Sequence, residues 1–569
     1  MAGSGKVHLI LGWHMHQPDY RNALTHTFEL PWTYLHAWKD YTDMAYHLER
    51  HPRMRAVVNL VPSLLEQWRD YAEQGRCGVW RDPLLQALQA DDLGAFDGAA
   101  RVHLIEACLR CHAPKMIEPF PAYRRLRDGI VALGGPAEAA PYVSDVFLHD
   151  LLMWYHLAWS GETLRRESLL LQRLMEQGER FTAADRQQLL QCLAGELERL
   201  AARYAALQKR GQIELSTTPA SHPIIPLLLD FNVAREALPH LALPQQPRYP
   251  GGEERARVHI AAAQALYRDT FGAAPQGFWP AEGALSTATL SLFAETGLSW
   301  TASGETLLAN SLRLSWGQEP PERSEWLYQP YRFGANPSGE GGTLVYFRDD
   351  SLSDRIGFEY AQWDGDRAAR DFIERIEAIG YDAPEGQEPV VSIILDGENA
   401  WEYYPYNGYY FLDALYQGLE DHHSICLTTF ADMTQALAQT ALPRLERVVA
   451  GSWVYGTLTT WIGDKDKNRA WDLLVQAKRA YDRHAPSLSS EARQRASAQL
   501  QVCESSDWFW WFGDYNSADS VRLFDRLYRL NLATLYHLLE LEVPASLKLS
   551  LSLGSHTSEG GGAMRRTSF

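Results

Sequence analysis

Cysteine is scarce in this chain: six among 569 residues, at positions 77, 108, 111, 192, 426 and 503. Only Cys108 and Cys111 form a CxxC, inside the helix-like run RVHLIEACLRC, and no second pair follows at zinc-ribbon spacing. That argues against a disulfide framework and against a cysteine zinc site, and suits reduced thiols. Long hydrophobic runs are also missing. No stretch approaches the ~18–20 apolar residues of a membrane-spanning helix, and the start, MAGSGKVHLI, enters a strand without the apolar core of a signal peptide. The expectation is a cytoplasmic protein with no membrane partner. AGSGK is not a P-loop, because it precedes a strand instead of following one and no Ser or Thr follows Lys6. Positive charge is in deficit, with 53 Lys and Arg against 71 Asp and Glu and a net charge of -18. Such a surface repels a phosphate backbone, so a nucleic-acid partner is disfavoured and a neutral ligand is tolerated.

What is present is ordinary globular material, 46% hydrophobic and 22% charged, long enough for two to four domains. The 19 tryptophans stand out; such rings fill cores and also stack on the apolar faces of sugars. Apolar or β-rich runs occur at 7–13, 55–60, 212–216, 276–279, 298–303, 343–347 and 390–396, with one more at 424–429. Seven strands alternating with helices predict an α/β fold, an incomplete (β/α)7 barrel over 1–440. Amphipathic helices fill 64–210 as an insertion after the second strand. A helical region follows over 441–548, and 549–569, ending GSHTSEGGGAMRRTSF, reads as a flexible tail.

The polar residues fall where a barrel places its chemistry, at the C-terminal strand ends. LGWHMHQPDY, residues 11–20, ends an apolar strand with His14 and His16, which alternation puts on one side, and Pro18 stops the ladder beyond them. The third strand carries Glu214 and leads to His222, the fourth leads to Glu282, and the seventh ends in Asp396 with Glu398 two residues on. A lone buried Glu or His is most often a satisfied structural group, but several strand ends here agree.

Four of these segments, HQP at 16–18, GQIELSTTPASHPIIPLL at 211–228, GFWPAEGALS at 277–286 and ILDGENAWEYY at 394–404, resemble the ordered motifs of glycoside hydrolase family 57. LPWTYLHAWKDYTDM at 30–44, FRDDSLSDRIGF at 347–358, GSWVYGTLTTWIGDKDKNRAW at 451–471 and SSDWFWWFGDYNS at 505–517 look most like its amylopullulanase and α-amylase branch. The resemblance implies an incomplete (β/α)7 barrel followed by helices, and a retaining enzyme that cleaves α-1,4 and in some cases α-1,6 glucosidic bonds of starch, glycogen, maltodextrin or pullulan. It maps the nucleophile onto Glu282 and the general acid/base onto Asp396, a choice that the residues by themselves do not make. No cofactor or metal is implied, and the partner is an α-glucan. His14, His16, Glu214, His222, Trp279 and Trp401 are the substrate-binding candidates; Asp354, Trp461 and Trp510, with Asp349, Asp466 and Trp508, are weaker ones. Whether 451–471 or 505–517 is the family's fifth motif stays open, and Asp19 and Tyr20 after the HQP depart from the branch's usual aromatic there.

Three other readings fit part of the pattern. A 4-α-glucanotransferase or branching enzyme differs only in whether a sugar hydroxyl or water takes the intermediate. HxH with Asp396 suits a metal-dependent barrel deacetylase, which leaves the WPAE and LDGEN carboxylates unexplained. A non-catalytic glucan-binding protein would not need both carboxylates.

Overall fold

A computed structural model describes residues 5–334 and 342–555; the end of the expected tail, beyond 555, lies outside the described residues. Among the described residues nine strands form one sheet: β1 (Val7–Met15), β2 (Ala56–Leu60), β3 (Ile213–Ser216), β4 (Gly277–Phe278), β5 (Trp300–Gly304), β6 (Tyr331–Phe333), β7 (Thr343–Arg348), β8 (Val390–Asp396) and β9 (Ile425–Leu427). Seven run parallel in the order β3-β2-β1-β8-β7-β5-β4. The two ends of that path approach through one bridge, Thr217 to Phe278, so the barrel is nearly closed with one open seam. This is the incomplete (β/α)7 barrel that the alternation of strands and helices predicts. β9 adds beside the first residues of β1, and the three-residue β6 pairs antiparallel to β7.

The strands are Val-, Ile- and Leu-rich because helices cover their outer face while side chains fill the barrel. Every residue of β2, β3, β5 and β7 is buried. Between β2 and β3 the chain makes only helices, from Pro62–Cys77 to Ala183–Lys209. The last starts at a capping box, Thr182 with Asp185, and buries Leu189, Leu193, Leu197, Leu200 and Tyr204 at three- to four-residue spacing. After β9 a loop over 437–464 returns across the top of the barrel, bonding Leu285 to Gly451, and leads to the helices Lys465–His484, Ser490–Cys503, Asp507–Trp511 and Ala518–Leu538. No helix among the described residues is long and apolar enough to cross a membrane.

The chain does not leave the body at 549, where a flexible tail is expected. Leu551 and Ser552 are buried, Asp525 accepts a hydrogen bond from the Leu551 amide at 2.8 Å, and Ser555 accepts one from Ala518. The Gly- and Ser-rich stretch that suggests a tail already begins at Gly554 and Ser555, the last residues of this docked segment.

Candidate active site

β1 and β8 lie side by side with His14 opposite Asp396, so two of the polar strand ends reach the same rim through main-chain register alone. They border a cavity of about 500 Å³ that His16, Glu282, Asp354 and Trp510 also line. Glu282 is delivered in an unusual way. After the two-residue β4, Pro280 turns the chain into a short 3-10 segment in which Glu282 has φ 58 and ψ 24, a left-handed conformation that a side chain with a Cβ adopts only at a cost. The first tryptophan of the segment 451–471 holds it there. Trp453 donates its indole N–H to Glu282 Oε2 at 2.9 Å and its backbone N–H to the Glu282 carbonyl at 3.1 Å. Gly283, also left-handed, leaves room beneath: a Cβ there would meet the Trp279 ring at 2.9 Å.

Asp396 accepts a hydrogen bond from Asn399 Nδ2 at 3.0 Å. Burial raises its pKa above the ordinary carboxylate range, against the opposing pull of Asn399, His16 and Arg348. Glu398 is pushed further, well above its usual value, by burial and then by the neighbouring Asp396 and Asp40. Its Oε2 is buried without a hydrogen-bond partner, which suits a neutral carboxyl. Arg348, at the end of β7, pairs with Asp350 at 2.8 Å and Asp354 at 3.1 Å and sits 5.0 Å from the centre of the Trp453 ring.

The histidines form a stack. His14 Nδ1 lies 2.7 Å from Asn59 Oδ1 and its Nε2 lies 3.2 Å from His222 Nε2, while His222 Nδ1 meets Ser506 Oγ at 2.9 Å. The network assigns His14 its proton on Nδ1 and His222 its proton on Nε2. Both are neutral, because burial and the neighbouring imidazoles lower the His14 pKa to about 3 and that of His222 well below its usual value. His16 Nε2 is 2.8 Å from Asp507 Oδ1, a bond that ties the end of β1 to the C-terminal helices.

His16, His222 and Asp507 place donor atoms within 4.8 Å of one another, which raises the metal reading again. The His16 and His222 rings stack at 3.9 Å with planes inclined by 18°. Imidazole lone pairs lie in the ring plane, and planes so disposed meet on the order of 10 Å away, whereas both must pass through an ion about 2 Å from each nitrogen. The set does not fit a shared cation as it stands.

Aromatic rings complete the lining: Trp32 and Trp159, with ring centroids 5.7 Å apart, Tyr403 from the segment after β8, and Trp510, Trp511 and Phe524 from the C-terminal helices. The helices between β2 and β3 also bring Arg110 and His112 to the rim, where His112 Nδ1 donates to the Glu402 carbonyl at 3.0 Å.

Of the residues expected from the sequence, His14, His16, Glu282, Asp354, Asp396 and Trp510 meet in the cavity, and His222 stands directly behind the two histidines. Seven others do not reach it. Glu214 is the second residue of β3 and points into the barrel below the rim, bonded to Trp300 Nε1 at 2.7 Å and the Ala431 amide at 2.9 Å. Burial raises its pKa to about 7. Trp279 packs beneath Gly283 and against Trp453, with ring centroids 5.3 Å apart. Trp401 folds back under the β8 loop and donates to the Gly397 carbonyl at 2.8 Å, and Trp461 is fully buried behind Trp510. Asp349, Asp466 and Trp508 lie off the cavity too; Asp349 accepts from Tyr328 Oη at 3.0 Å, and Trp508 donates to the Val502 carbonyl. Trp453, Asp507 and Arg348 were not singled out, although each lies in a quoted motif. Both 451–471 and 505–517 touch the cavity, the first through Trp453 and the second through Asp507 and Trp510.

Comparison with solved structures places this architecture among known ones. A family 57 branching enzyme from Thermococcus kodakaraensis superposes with a TM-score of 0.56 at 15% identity, over 96% of this chain and 93% of that one. A branching enzyme of the same type from Pyrococcus horikoshii gives 0.56 at 12%, over 99% and 100%, and the α-amylase AmyC of Thermotoga maritima gives 0.54 at 13%, over 94% and 93%. At such identities the likeness concerns the fold. Comparison with curated proteins gives no significant match. The sequence description of glycosyl hydrolase family 57 matches residues 10–446, a span that holds the barrel from the middle of β1 onward, both carboxylates and the histidine stack, and the chain therefore belongs to that family.

Proposed function

We propose that this protein acts on α-glucans by a retaining mechanism, with Glu282 as nucleophile and Asp396 as general acid/base. The observation that carries the reading is the pairing of two unlike carboxylates across one cavity. Glu282 is held in a strained conformation by the Trp453 indole, which keeps its carboxylate oriented. Asp396 is half-buried, with its pKa raised, which favours the protonated form that a departing glycosidic oxygen requires. In the first step Glu282 attacks the anomeric carbon while Asp396 passes its proton to the leaving oxygen; in the second, Asp396 takes a proton from water as that water displaces Glu282. Asp507, which lines the cavity beside His16, offers acceptor oxygens for sugar hydroxyls, while His14 has both ring nitrogens engaged and helps to fix the stack. Hydrolysis of α-1,4 bonds, with some action on α-1,6 bonds in starch, glycogen, maltodextrin or pullulan, is the activity proposed.

A second reading within the same chemistry has an observation in its favour. Trp32, Trp159 and Tyr403 line the same cavity as the two carboxylates, and such rings suit a bound acceptor sugar, which would make the enzyme a 4-α-glucanotransferase or branching enzyme. Incubation with amylose separates the two: a rise in reducing ends marks hydrolysis, and longer or branched products without that rise mark transfer. Glu282→Gln should abolish turnover of either kind in a folded protein, and azide should rescue Glu282→Ala with formation of a glycosyl azide. Retained turnover in Glu282→Gln defeats the assignment.

A further inference from the structure

Past the rim of the cavity, three tyrosines surround one guanidinium. Arg166 lies 4.2 Å from the ring centre of Tyr409, 5.1 Å from that of Tyr410 and 6.0 Å from that of Tyr406. It donates to the Tyr410 hydroxyl at 3.0 Å and is itself held by Glu162 Oε1 at 2.8 Å. Tyr406 and Tyr410 are 58% and 48% exposed, with rings at 87° and centroids 5.5 Å apart, so they offer two faces of a right-angled step to solvent.

The backbone is built to present them. Tyr406 and Asn407 both have φ 53, a left-handed pair that non-glycine residues avoid. Asn407 locks it from below: its Oδ1 accepts from the buried Lys39 Nζ at 2.7 Å and its Nδ2 donates to the buried Asp43 at 2.8 Å. An aromatic ring held outward on a strained, anchored turn loses little freedom when a ligand covers it, and strain of this kind persists where it serves a purpose. The patch lies a few residues along the chain from the cavity lining. Glu402 and Tyr403 line the cavity, and from Tyr403 to Tyr406 the chain spans at most ~11 Å.

We propose that Tyr406 and Tyr410, braced by Arg166, form a second binding site for an α-glucan chain, one that holds polymer beside the cavity without taking part in bond cleavage. The chemistry of the occupant follows from the patch: flat apolar faces carrying hydroxyls match a sugar ring, Arg166 is engaged by Glu162, which it shares with Arg165, and the chain's net charge of -18 disfavours an anionic ligand. Linking two modest sites through one polymer raises retention without any new contact in the cavity. The inference rests on the proposed α-glucan activity.

The test is the double variant Tyr406→Ala/Tyr410→Ala, followed by electrophoresis through gels containing amylopectin and by KM on soluble starch and on a short activated maltooligosaccharide. Retardation by amylopectin should fall about fivefold and the starch KM should rise by a similar factor, while the short-substrate KM stays as in the parent. Arg166→Met should give a smaller change of the same sign by releasing Tyr410. Retardation equal to the parent's, with the parent active on starch, overturns this site and leaves the proposed activity standing. A parent that turns over no α-glucan removes both. A parent dimer in sedimentation that the double variant loses would make the patch a self-association face and overturn the glucan site.

Discussion

Glu398 stands two residues past Asp396 with one oxygen buried and unpartnered, and its protonation decides what it can offer a sugar. Burial, Asp396 and Asp40 hold it neutral, so Glu398→Gln, an uncharged isostere, should keep kcat/KM within about threefold near neutral pH, whereas Glu398→Ala should lose about tenfold or more. Equal losses in both variants would mean that the charge is what matters. Asn399 gives a second residue-scale expectation. Its hydrogen bond is the largest influence lowering the raised pKa of Asp396, so Asn399→Ala should raise that pKa further and move the alkaline limb of the kcat/KM profile to higher pH. A limb displaced to lower pH would contradict Asp396 as the acid. At this scale the sequence was informative about which residues gather and poor on which way they point. His14 and His16 follow from strand alternation, and their rings do approach to 5.9 Å. Glu214 and Trp279 sit in motifs as strong, yet one faces the barrel interior and the other the underside of Gly283, because depth along a strand and the side of a turn are set by tertiary packing that no local pattern encodes.

The helix Ser490–Cys503 shows how an element outside the barrel helps to build the site. It ends at Glu504, fully buried, which takes a bidentate contact from Arg255 and a 2.7 Å bond from His259 Nε2, both on the barrel helix Gly252–Phe271. The next three residues include Ser506, bonded to His222, and Asp507, bonded to His16. Burial opposes the Glu504 charge, but Arg255 and His259 outweigh it and lower the pKa to about 2 from 4.5. A depressed carboxylate pKa gives stability that is complete above the unfolded value and is lost as pH falls through the folded one, here between about 4.5 and 2 and on the order of 3 kcal/mol. Glu504→Gln should therefore destabilise the protein by roughly 3–5 kcal/mol at neutral pH, since Arg255 is left buried without its partner, and should flatten the acid limb of stability. Urea melts at pH 7 and pH 3 check both; an unchanged difference between the two would remove Glu504 from this role. The strands and the helical stretches were legible because their periods differ and because turns punctuate them. β6 was not, being three residues long, and neither was the docking of 549–555, whose composition reads as linker although Asp525 and Ala518 hold it.

At the scale of the molecule, the cavity is a joint product of three regions: carboxylates from the barrel, Trp453 from the crossing loop, and aromatic walls from the helices on either side. The sequence motifs announced the first two and held Trp32, on the helix after β1, while Arg110 and Trp159 reach the cavity only through the helices between β2 and β3. A cavity bounded by rings instead of by a closed tunnel can admit both α-1,4 and α-1,6 linkages, since stacking reads ring faces more than bond position. The two tryptophans that looked alike in sequence then separate. Trp510 lines the cavity and is partly exposed, so Trp510→Ala should raise the KM for starch and pullulan several-fold with little change in melting temperature. Trp461 is fully buried 6.0 Å behind it, so Trp461→Ala should instead cost about 3–5 kcal/mol of stability. Starch degradation with no reducing ends from pullulan would narrow the activity to α-1,4 bonds and leave the roles of both tryptophans unchanged. If Trp510→Ala unfolds the protein while Trp461→Ala only weakens polymer binding, the wall is assigned to the wrong ring, and the acceptor side of the cavity lies deeper than the arrangement of Trp510, Trp511 and Phe524 implies.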